Sequence, residues 1–441
     1  MRPVFAVSAL LIVGCVPTEF EDLRGESQVV ALAPPDDYPK AGFGEQIVAF
    51  GDASGSRIGA GAGVDSPFTV YPLHIDGELR LDGPILDGCD VDAPCATGAG
   101  ATLVGLPRYG GRERCVGAVA PESGTVELRC EDDATLTSTV TGPGGQRFGF
   151  SAASLRAPHP FGVALFGAPG AGGGAGAVYR LPETGGPIAV DLSGGAGAGA
   201  ELGRRVAIAA IDADSVLLAA AASAGGTKRL VVATADAGSV SVRDCLDDAA
   251  EGWGEALAVG DLNGDGAPDL AVSSGPGGGA RLSVVRVYDG AALPVEGTCD
   301  GSWPVAAELA CPSAQNGAAC DDASAFGSAL AIGDLDGDGR GELIVGARTA
   351  DVDDVGGAGA VWVFRGAAAL SDLSAEVVAL RHPSPGTGDM LGWAVAAAPG
   401  LDGRDELVAS APGRDRVYVF LCSGLDGDDP ATTSGMRCQP R

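Results

Sequence analysis

One pattern recurs about every 50–70 residues along most of this chain. An aromatic residue or leucine precedes a glycine, two apolar runs separated by a turn follow, and a run rich in Val and Tyr comes next. The pattern is clearest from Phe326, where the later runs occupy 343–347 and 360–364. Runs of this length between turn residues are typical of buried strands. Because one such sheet cannot bury both faces alone, the repeat favours like sheets packed around a common axis.

Seven copies of the pattern can be traced between residues 41 and 422. The copy at about 98–130 is the weakest, because only its runs at 115–121 and 125–128 fit. We therefore predict an all-β fold, a seven-bladed β-propeller. The other six copies begin at Phe43, Phe148, Leu202, Trp253, Phe326 and Leu391.

Two copies contain the same acidic loop, at 261–269 and 334–342. Oxygen-bearing side chains stand at its first, third, fifth and ninth positions, and the seventh residue can offer its backbone carbonyl. Calcium takes about six to eight oxygen ligands, so the spacing predicts two calcium sites. The candidate ligands are Asp261, Asn263, Asp265, the Ala267 carbonyl and Asp269 in one loop, and Asp334, Asp336, Asp338, the Arg340 carbonyl and Glu342 in the other.

These loops are not EF-hands. An EF-hand carries a carboxylate at its twelfth position and a helix on each side, whereas Val272 and Val345 stand at the twelfth position here. The short apolar flanks predict a loop between two strands. The alternative is an Asp- and Gly-rich turn that needs no ion. Clustered carboxylates repel one another without a cation, which favours a metal with a structural role.

Together these features resemble FG-GAP repeats, which are known from the integrin α-subunit head and from many bacterial surface proteins. The resemblance rests on the acidic loops and on Phe-Gly and Gly-Ala-Pro residues at these intervals, and it covers nearly all of 41–422. It implies a calcium loop between the first and second strands of a blade, with the ligands named above. In the last copy only Asp402 and Glu406 align, so we expect no metal there. The resemblance also implies an N-terminal strand that completes the last blade, for which 28–32 is the candidate.

The N-terminus reads as a bacterial lipoprotein signal. One cation and an apolar run occupy residues 1–14, and the run is too short to span a membrane. The residues before Cys15 resemble a lipobox, which implies that Cys15 is lipidated and anchors the chain to a membrane. Val16 follows it, which favours the outer membrane. The alternative is a plain signal peptide and a secreted protein. Residues 15–40 are acidic and Pro-rich and are interpreted as a tether.

The eleven cysteines favour disulfides, because ten remain when Cys15 is set aside and the signal directs the chain to an oxidising compartment. A metal–thiolate site is the alternative, although no pair has the CxxC spacing typical of zinc sites. Sequence alone does not determine connectivity. Near neighbours suggest Cys89–Cys95, Cys115–Cys130, Cys311–Cys320 and Cys422–Cys438, the last clasping a tail at 423–441, and leave Cys245 and Cys299.

Composition narrows the function. A net charge of −30 disfavours nucleic acid and anionic membrane surfaces as partners. There is no Gly-x-Ser-x-Gly motif, and His74, His159 and His382 lack acidic or Cys partners at motif spacing, so we do not expect an enzyme. The favoured function is a monomeric, lipid-anchored, calcium-stabilised scaffold for binding or adhesion at the cell envelope, with a protein or glycan partner. The alternatives are an envelope hydrolase or lyase with its site at the propeller axis, and an assembly subunit.

Overall fold

The structure is a computed structural model that describes residues 29–32 and, with internal gaps, residues 42–420. The longest of these gaps are 88–101, 275–283 and 193–199. The predicted signal peptide at 1–14, most of the tether at 15–40 and the tail at 423–441 lie outside the described residues. The same holds for the predicted lipidation site and for four further cysteines: Cys15, Cys89, Cys95, Cys422 and Cys438.

Short strands make up almost all of the regular structure. Strand β1 (Val29–Leu32) comes from the N-terminal segment. Sheet 1 contains β2 (Gln46–Asp52), β3 (Gly55–Gly61), β4 (Phe68–Ile75), β5 (Leu79–Arg80) and β6 (Leu86–Asp87). Sheet 2 contains β7 (Thr102–Tyr109), β8 (Arg112–Ala120), β9 (Thr125–Cys130) and β10 (Asp133–Thr141). Sheet 3 contains β11 (Ser151–Ser154), β12 (Ala164–Ala168), β13 (Ala177–Leu181) and β14 (Ile188–Val190).

The remaining sheets follow in chain order. Sheet 4 contains β15 (Arg205–Ala210), β16 (Val216–Ala224), β17 (Thr227–Ala235) and β18 (Val240–Asp248). Sheet 5 contains β19 (Leu257–Gly260), β20 (Asp269–Ser274), β21 (Val284–Tyr288) and β22 (Val305–Ala310). A ribbon pairs β23 (Ala318–Ala319) with β26 (Asp351–Val352), and sheet 6 contains β24 (Phe326–Gly333), β25 (Glu342–Ala347), β27 (Ala360–Phe364) and β28 (Val377–Leu380). Sheet 7 contains β29 (Val395–Pro399), β30 (Asp405–Ala411), β31 (Arg416–Phe420) and β1.

Helical segments are short. In the residues with described structure they comprise α1 (Ala171–Gly174) and three 3₁₀ turns, at Gly290–Ala292, Leu370–Asp372 and Pro412–Arg414. In the described part of the chain, no helix has the length and apolar character needed to span a bilayer.

The sheets are arranged around a common centre. The first strands of consecutive sheets contact one another: β7 with β11, β11 with β15, β15 with β19, β19 with β24, and β24 with β29. Apolar clusters fill the space between adjacent sheets, and between sheets 5 and 6 the side chains of Val285, Phe326 and Trp362 pack together. The chain is therefore an all-β β-propeller, as the repeats predict.

The predicted number of blades requires a correction. Among the described residues, the structure shows six four-stranded blades, sheets 2 to 7, instead of seven. Sheet 1 has five strands, of which β5 and β6 are only two residues long and both pair with β4. The sequence after β4 explains this, because Asp, Gly and Pro interrupt the apolar alternation that a longer fourth strand needs. The weak copy at about 98–130, by contrast, falls within the regular sheet 2.

The two ends of the described chain meet in sheet 7. Strand β1 pairs antiparallel with β31, with Val29 opposite Phe420 and Leu32 opposite Val417. The N-terminal segment thus supplies the outer strand of the last blade. Leu32 is buried, and its apolar cluster includes Phe43 of the following segment.

We predict that Leu32→Ala lowers the free energy of unfolding by about 2–4 kcal/mol, because it removes buried methyl groups from this cluster and leaves a cavity. Urea denaturation of the purified chain measures the effect. The matched control is Ala31→Ser, since Ala31 is exposed on the same strand and the change should cost less than about 0.5 kcal/mol. Equal stability of the two variants would contradict the docking of β1.

The aromatic residue or leucine that precedes glycine at the start of each repeat has a structural explanation. In sheet 7, Leu391 is buried and Gly392 has φ of 83°, a conformation that favours glycine. The Gly392 N–H donates to the Ser410 carbonyl at 2.9 Å. In the preceding blade, a Cβ on Gly346 would lie 2.2 Å from the Gly392 carbonyl oxygen. Glycine at both positions therefore lets neighbouring blades approach backbone to backbone.

The described residues contain three disulfides, Cys115–Cys130, Cys245–Cys299 and Cys311–Cys320. The first and third confirm two of the pairs suggested by sequence proximity. The second joins Cys245 and Cys299, the two cysteines for which sequence proximity suggested no partner. It connects β18 of sheet 4 to the segment before β22 of sheet 5. Such a bridge between blades follows from the packing of the sheets and not from sequence distance.

Candidate metal centre

Each acidic loop joins the first strand of a sheet to its second strand. The sheet 5 loop (261–269) connects β19 to β20, and the sheet 6 loop (334–342) connects β24 to β25. In the strand register, Gly260 pairs with Asp269 and Gly333 pairs with Glu342. The ninth-position carboxylates therefore lie at the mouths of the hairpins. The prediction of loops between strands, in place of EF-hands, is confirmed.

The first aspartate of each loop holds the turn together. Asp261 Oδ1 accepts the N–H of Gly264 at 2.6 Å, and its Oδ2 accepts the N–H of Gly266 at 2.8 Å. Asp334 accepts from the glycines at the same two loop positions, at 2.7 and 3.1 Å. The sixth-position Gly266 has φ of 84°, which glycine adopts without strain. The two loops therefore fold around their first carboxylates in the same way.

The third and fifth positions repeat this equivalence. Asn263 Oδ1 accepts the N–H of Asp265 at 3.0 Å, and Asp336 Oδ1 accepts the N–H of Asp338 at 3.1 Å. The fifth-position carboxylates in turn accept the N–H of the seventh residue, at 2.8 and 2.9 Å. These seventh residues, whose carbonyls are candidate ligands, are Ala267 and Arg340.

Backbone groups engage the ninth-position carboxylates. Glu342 Oε2 accepts the N–H of Leu335 at 2.7 Å, and its Oε1 accepts the N–H of Gly366 at 3.2 Å. Asp269 accepts from the two equivalent backbone groups of its own sheet, at 2.9 and 2.8 Å. These carboxylates therefore connect each loop to the chain that follows the third strand of the blade.

The electrostatics of the loops disfavour negative charge. Burial raises the pKa of Glu342 to about 8, and the charge of Asp336 contributes in the same direction. Burial also raises the pKa of Asp269 to about 7. The pKa of Asp334 is raised, first by burial and then by its neighbouring carboxylates. A divalent cation would offset the cost of ionising these groups together.

Three carboxylates of the sheet 6 loop converge. Asp334, Asp336 and Asp338 each place one oxygen within 4.8 Å of the others, whereas Glu342 is not a member of this group. The side chain of Asp336 is almost fully buried. The sheet 5 loop has no matching group of three carboxylates, because Asn263 stands at its third position.

A positive charge already lies beside the sheet 6 cluster. Arg365 Nη2 is 2.9 Å from Asp336 Oδ2 and 3.8 Å from Asp338 Oδ2. The position of this guanidinium shows that the carboxylates attract a positively charged group. All candidate ligand atoms of the loop are oxygens, which calcium prefers. The residues therefore fit a calcium ion, which Asp334, Asp336 and Asp338 would hold through their side chains.

Backbone hydrogen bonds link successive loops. The Gly341 N–H donates to the Asp261 carbonyl at 2.7 Å, and the Asp405 N–H donates to the Asp334 carbonyl at 2.7 Å. Asp405 Oδ2 also accepts the Asp334 N–H at 3.0 Å, and its Oδ1 is 2.6 Å from Nη1 of Arg156 in sheet 3. The corresponding loop of sheet 7 therefore supports the sheet 6 loop, although Asp402 itself lies outside the described residues.

Neither Arg365 nor Asp405 could be recognised from the loop pattern in the sequence. Arg365 directly follows the third strand of sheet 6, and no spacing rule within the acidic loop reaches that far. A weak signal existed, because Asp289 holds the same place after the third strand of sheet 5. Opposite charges at one position of two otherwise matching repeats indicate that the two acidic loops have different electrostatic surroundings.

Comparison with protein families identifies the repeats. The family model for the FG-GAP repeat matches residues 253–292 and again residues 326–364. These segments contain the two acidic loops and the first three strands of sheets 5 and 6. No curated protein matches the chain.

Proposed function

We propose that this β-propeller with FG-GAP repeats is a calcium-stabilised scaffold that binds a protein or glycan partner at the cell envelope. The observation that carries the proposal is the pair of matched repeats, each with an acidic hairpin loop, within a ring of packed sheets. Such a ring holds many loops on rigid strands, and loops on rigid scaffolds are where binding residues concentrate. The fold supports this function by analogy.

Calcium is proposed at both acidic loops with a structural role. The ligands would be Asp261, Asn263, Asp265, Asp269 and the Ala267 carbonyl in sheet 5, and Asp334, Asp336, Asp338, Glu342 and the Arg340 carbonyl in sheet 6. The shared hydrogen-bond pattern of the two loops supports this assignment. When bound, the ion would neutralise carboxylates whose ionised form is disfavoured by burial.

Sheet 1 lies between sheet 7 and sheet 2 of the six-bladed arrangement. Its first strand, β2, contacts both β7 of sheet 2 and β29 of sheet 7. On one side Phe50 packs with Leu103 and Val116, and on the other Ile58 packs with Val408. Sheet 1 therefore packs against both the first and the last of the six blades.

The scaffold is proposed to be non-catalytic. The histidines with described side chains are engaged by backbone groups: His159 Nδ1 accepts from Phe161, and His382 Nδ1 accepts from Ser384. Every hydrogen bond described for these two rings is to a backbone group, whereas a general base would be bonded to the nucleophile that it activates. This supports a binding role over the envelope hydrolase or lyase.

Affinity capture from envelope extracts tests the binding proposal. The immobilised chain is compared in calcium and in EDTA, with Asp336→Ala as the metal-loop variant, and retained proteins are identified by mass spectrometry. Glycan binding is measured in parallel on a glycan array. We expect a partner that wild type retains in calcium and that EDTA or the variant weakens. Failure to retain any protein or glycan above an unrelated acidic protein would contradict the proposal.

The lipid anchor provides a separate prediction. We propose that Cys15 is lipidated and holds the chain at the outer membrane, so Cys15→Ser should move it from the membrane to the soluble fraction. Fractionation followed by immunoblotting measures this shift, and Ala31→Ser, a change at an exposed residue, is a control that leaves the anchor intact. A variant that stays with the membrane would contradict the lipobox interpretation.

A further inference from the structure

Arg365 lies at two of the carboxylates proposed to bind calcium in sheet 6. Its Nη2 contacts Asp336 at 2.9 Å and approaches Asp338 at 3.8 Å, while its Nη1 is 3.2 Å from Glu376 Oε2. The side chain of Asp336 is 3% exposed, so this ion pair is shielded from water more than a surface pair. The guanidinium therefore satisfies part of the negative charge that a metal would otherwise neutralise.

Sheet 5 has the opposite charge at the same place. Tyr288 pairs with Leu270 in sheet 5 as Phe364 pairs with Leu343 in sheet 6, so Asp289 corresponds to Arg365. The next residue in each sheet is a glycine whose N–H donates to the ninth-position carboxylate, at 2.8 and 3.2 Å. This shared bond shows that the two positions are equivalent in space as well as in sequence.

The ligands alone would make the sheet 6 loop the more negative of the two, but the charged residues beside the loops reverse this order. The third position is Asn263 in sheet 5 and Asp336 in sheet 6, so the ligands of sheet 6 carry one more negative charge. Arg365 offsets that charge, whereas Asp289 adds one to sheet 5. The side chain of Arg340, the seventh residue of the sheet 6 loop, adds a further positive charge, with Nη1 3.7 Å from Asp338 Oδ2.

We propose that Arg365 is a tethered competitor for the sheet 6 cation, so that the two calcium sites of this protein differ in affinity and sheet 6 is the weaker. The inference rests on the calcium binding proposed above. On binding, the ion would take Asp336 and Asp338 from the guanidinium. Arg365 would keep its contact with Glu376 and turn into the adjacent cleft of about 310 Å³, which Asp372 also lines.

Calorimetric calcium titration of the chelator-stripped full chain tests this inference. Arg365→Gln removes the competing charge, and we expect it to tighten the weaker site roughly tenfold and leave the other site unchanged. Arg365→Lys keeps the charge and should bind like wild type. Asp289→Asn is the matched change in sheet 5 and should weaken the tighter site alone. Asp261→Ala and Asp334→Ala backgrounds assign each affinity to its loop.

The outcomes separate this inference from the calcium proposal. If wild type binds two ions and Arg365→Gln leaves both affinities unchanged, the competitor role is overturned while calcium binding stands. A purely structural role of Arg365 would lower the melting temperature of the stripped variant without changing either affinity. If wild type binds no calcium at sheet 6 but Arg365→Gln does, the competitor role is supported. If neither binds calcium at any site, both proposals fail.

Discussion

Removal of calcium is expected to lower the melting temperature of this protein by roughly 5 °C. A ligand that binds only the folded state stabilises it by about 2.7 kcal/mol per site at a free concentration of about a hundred times Kd. For a chain of this size, each kcal/mol moves the melting temperature by about 1–2 °C, less than in smaller domains. The gain arises because the ion neutralises carboxylates that are held together in the hairpins.

The measurement is a thermal melt of the purified chain in calcium and in EDTA. Asp336→Ala should remove less than half of the response, because it disables the weaker of the two proposed sites. Asp214→Ala is the matched control, since Asp214 is an exposed carboxylate in the corresponding turn of sheet 4 and should leave the full response. Identical melts of wild type in calcium and in EDTA would contradict a structural metal.

Asp244→Ala is expected to destabilise the protein by about 3–5 kcal/mol, more than any other single change considered. Asp244 is fully buried at the junction of sheets 4 and 5. Its Oδ1 accepts the N–H of Cys245 at 2.7 Å and of Gly301 at 2.9 Å, and its Oδ2 accepts the N–H of Trp303 at 2.7 Å. The substitution would leave these buried donors without an acceptor, which is costly.

The position of Asp244 depends on an irregularity in strand β18. Val232 pairs with Asp244 but Ala233 pairs with Val242, so Arg243 is an extra residue in β18. A bulge of this kind turns the following side chain to a new direction. It places Asp244 against the segment after Cys299, beside the disulfide that joins the same two blades.

Chemical denaturation measures this prediction. The control is Asp247→Ala on the same strand, because Asp247 makes a half-exposed ion pair with Arg229 and such pairs contribute about 1 kcal/mol or less. Asp244→Asn should fall between the two, since one of its oxygens can still accept. If Asp244→Ala were no more destabilising than Asp247→Ala, the junction would not depend on this carboxylate.

The local parts of the candidate metal centre could be predicted from the sequence. The side chains of Asp261 and Asp334 accept from residues three and five positions further along the chain. Such bonds depend only on the spacing of Asp and Gly within one loop, so the same spacing folded twice in the same way. The flanking strands could be predicted for the same reason, because short apolar runs between turn residues are local signals.

The number and form of the blades could not be predicted in this way. Sheet 2 is regular although its repeat is the faintest, and the Cys115–Cys130 bridge joins directly opposed residues of β8 and β9 there. Sheet 1 has a clear first half, but the residues that the structure describes there include no fourth strand of blade length. A blade forms when its neighbours bury both of its faces, and a single repeat carries no information about its neighbours.

The sequence by itself therefore determined the all-β class, the hairpin position of the acidic loops and the hydrogen bonds within them. Only the tertiary structure brought Arg365, Asp405 and Asp244 to their partners, which lie in other hairpins or in other blades. The physical reason is the difference in sequence distance between the residues that interact. Hydrogen bonds within a loop are set by neighbouring residues, whereas the charge that a loop meets depends on which strands the ring places beside it.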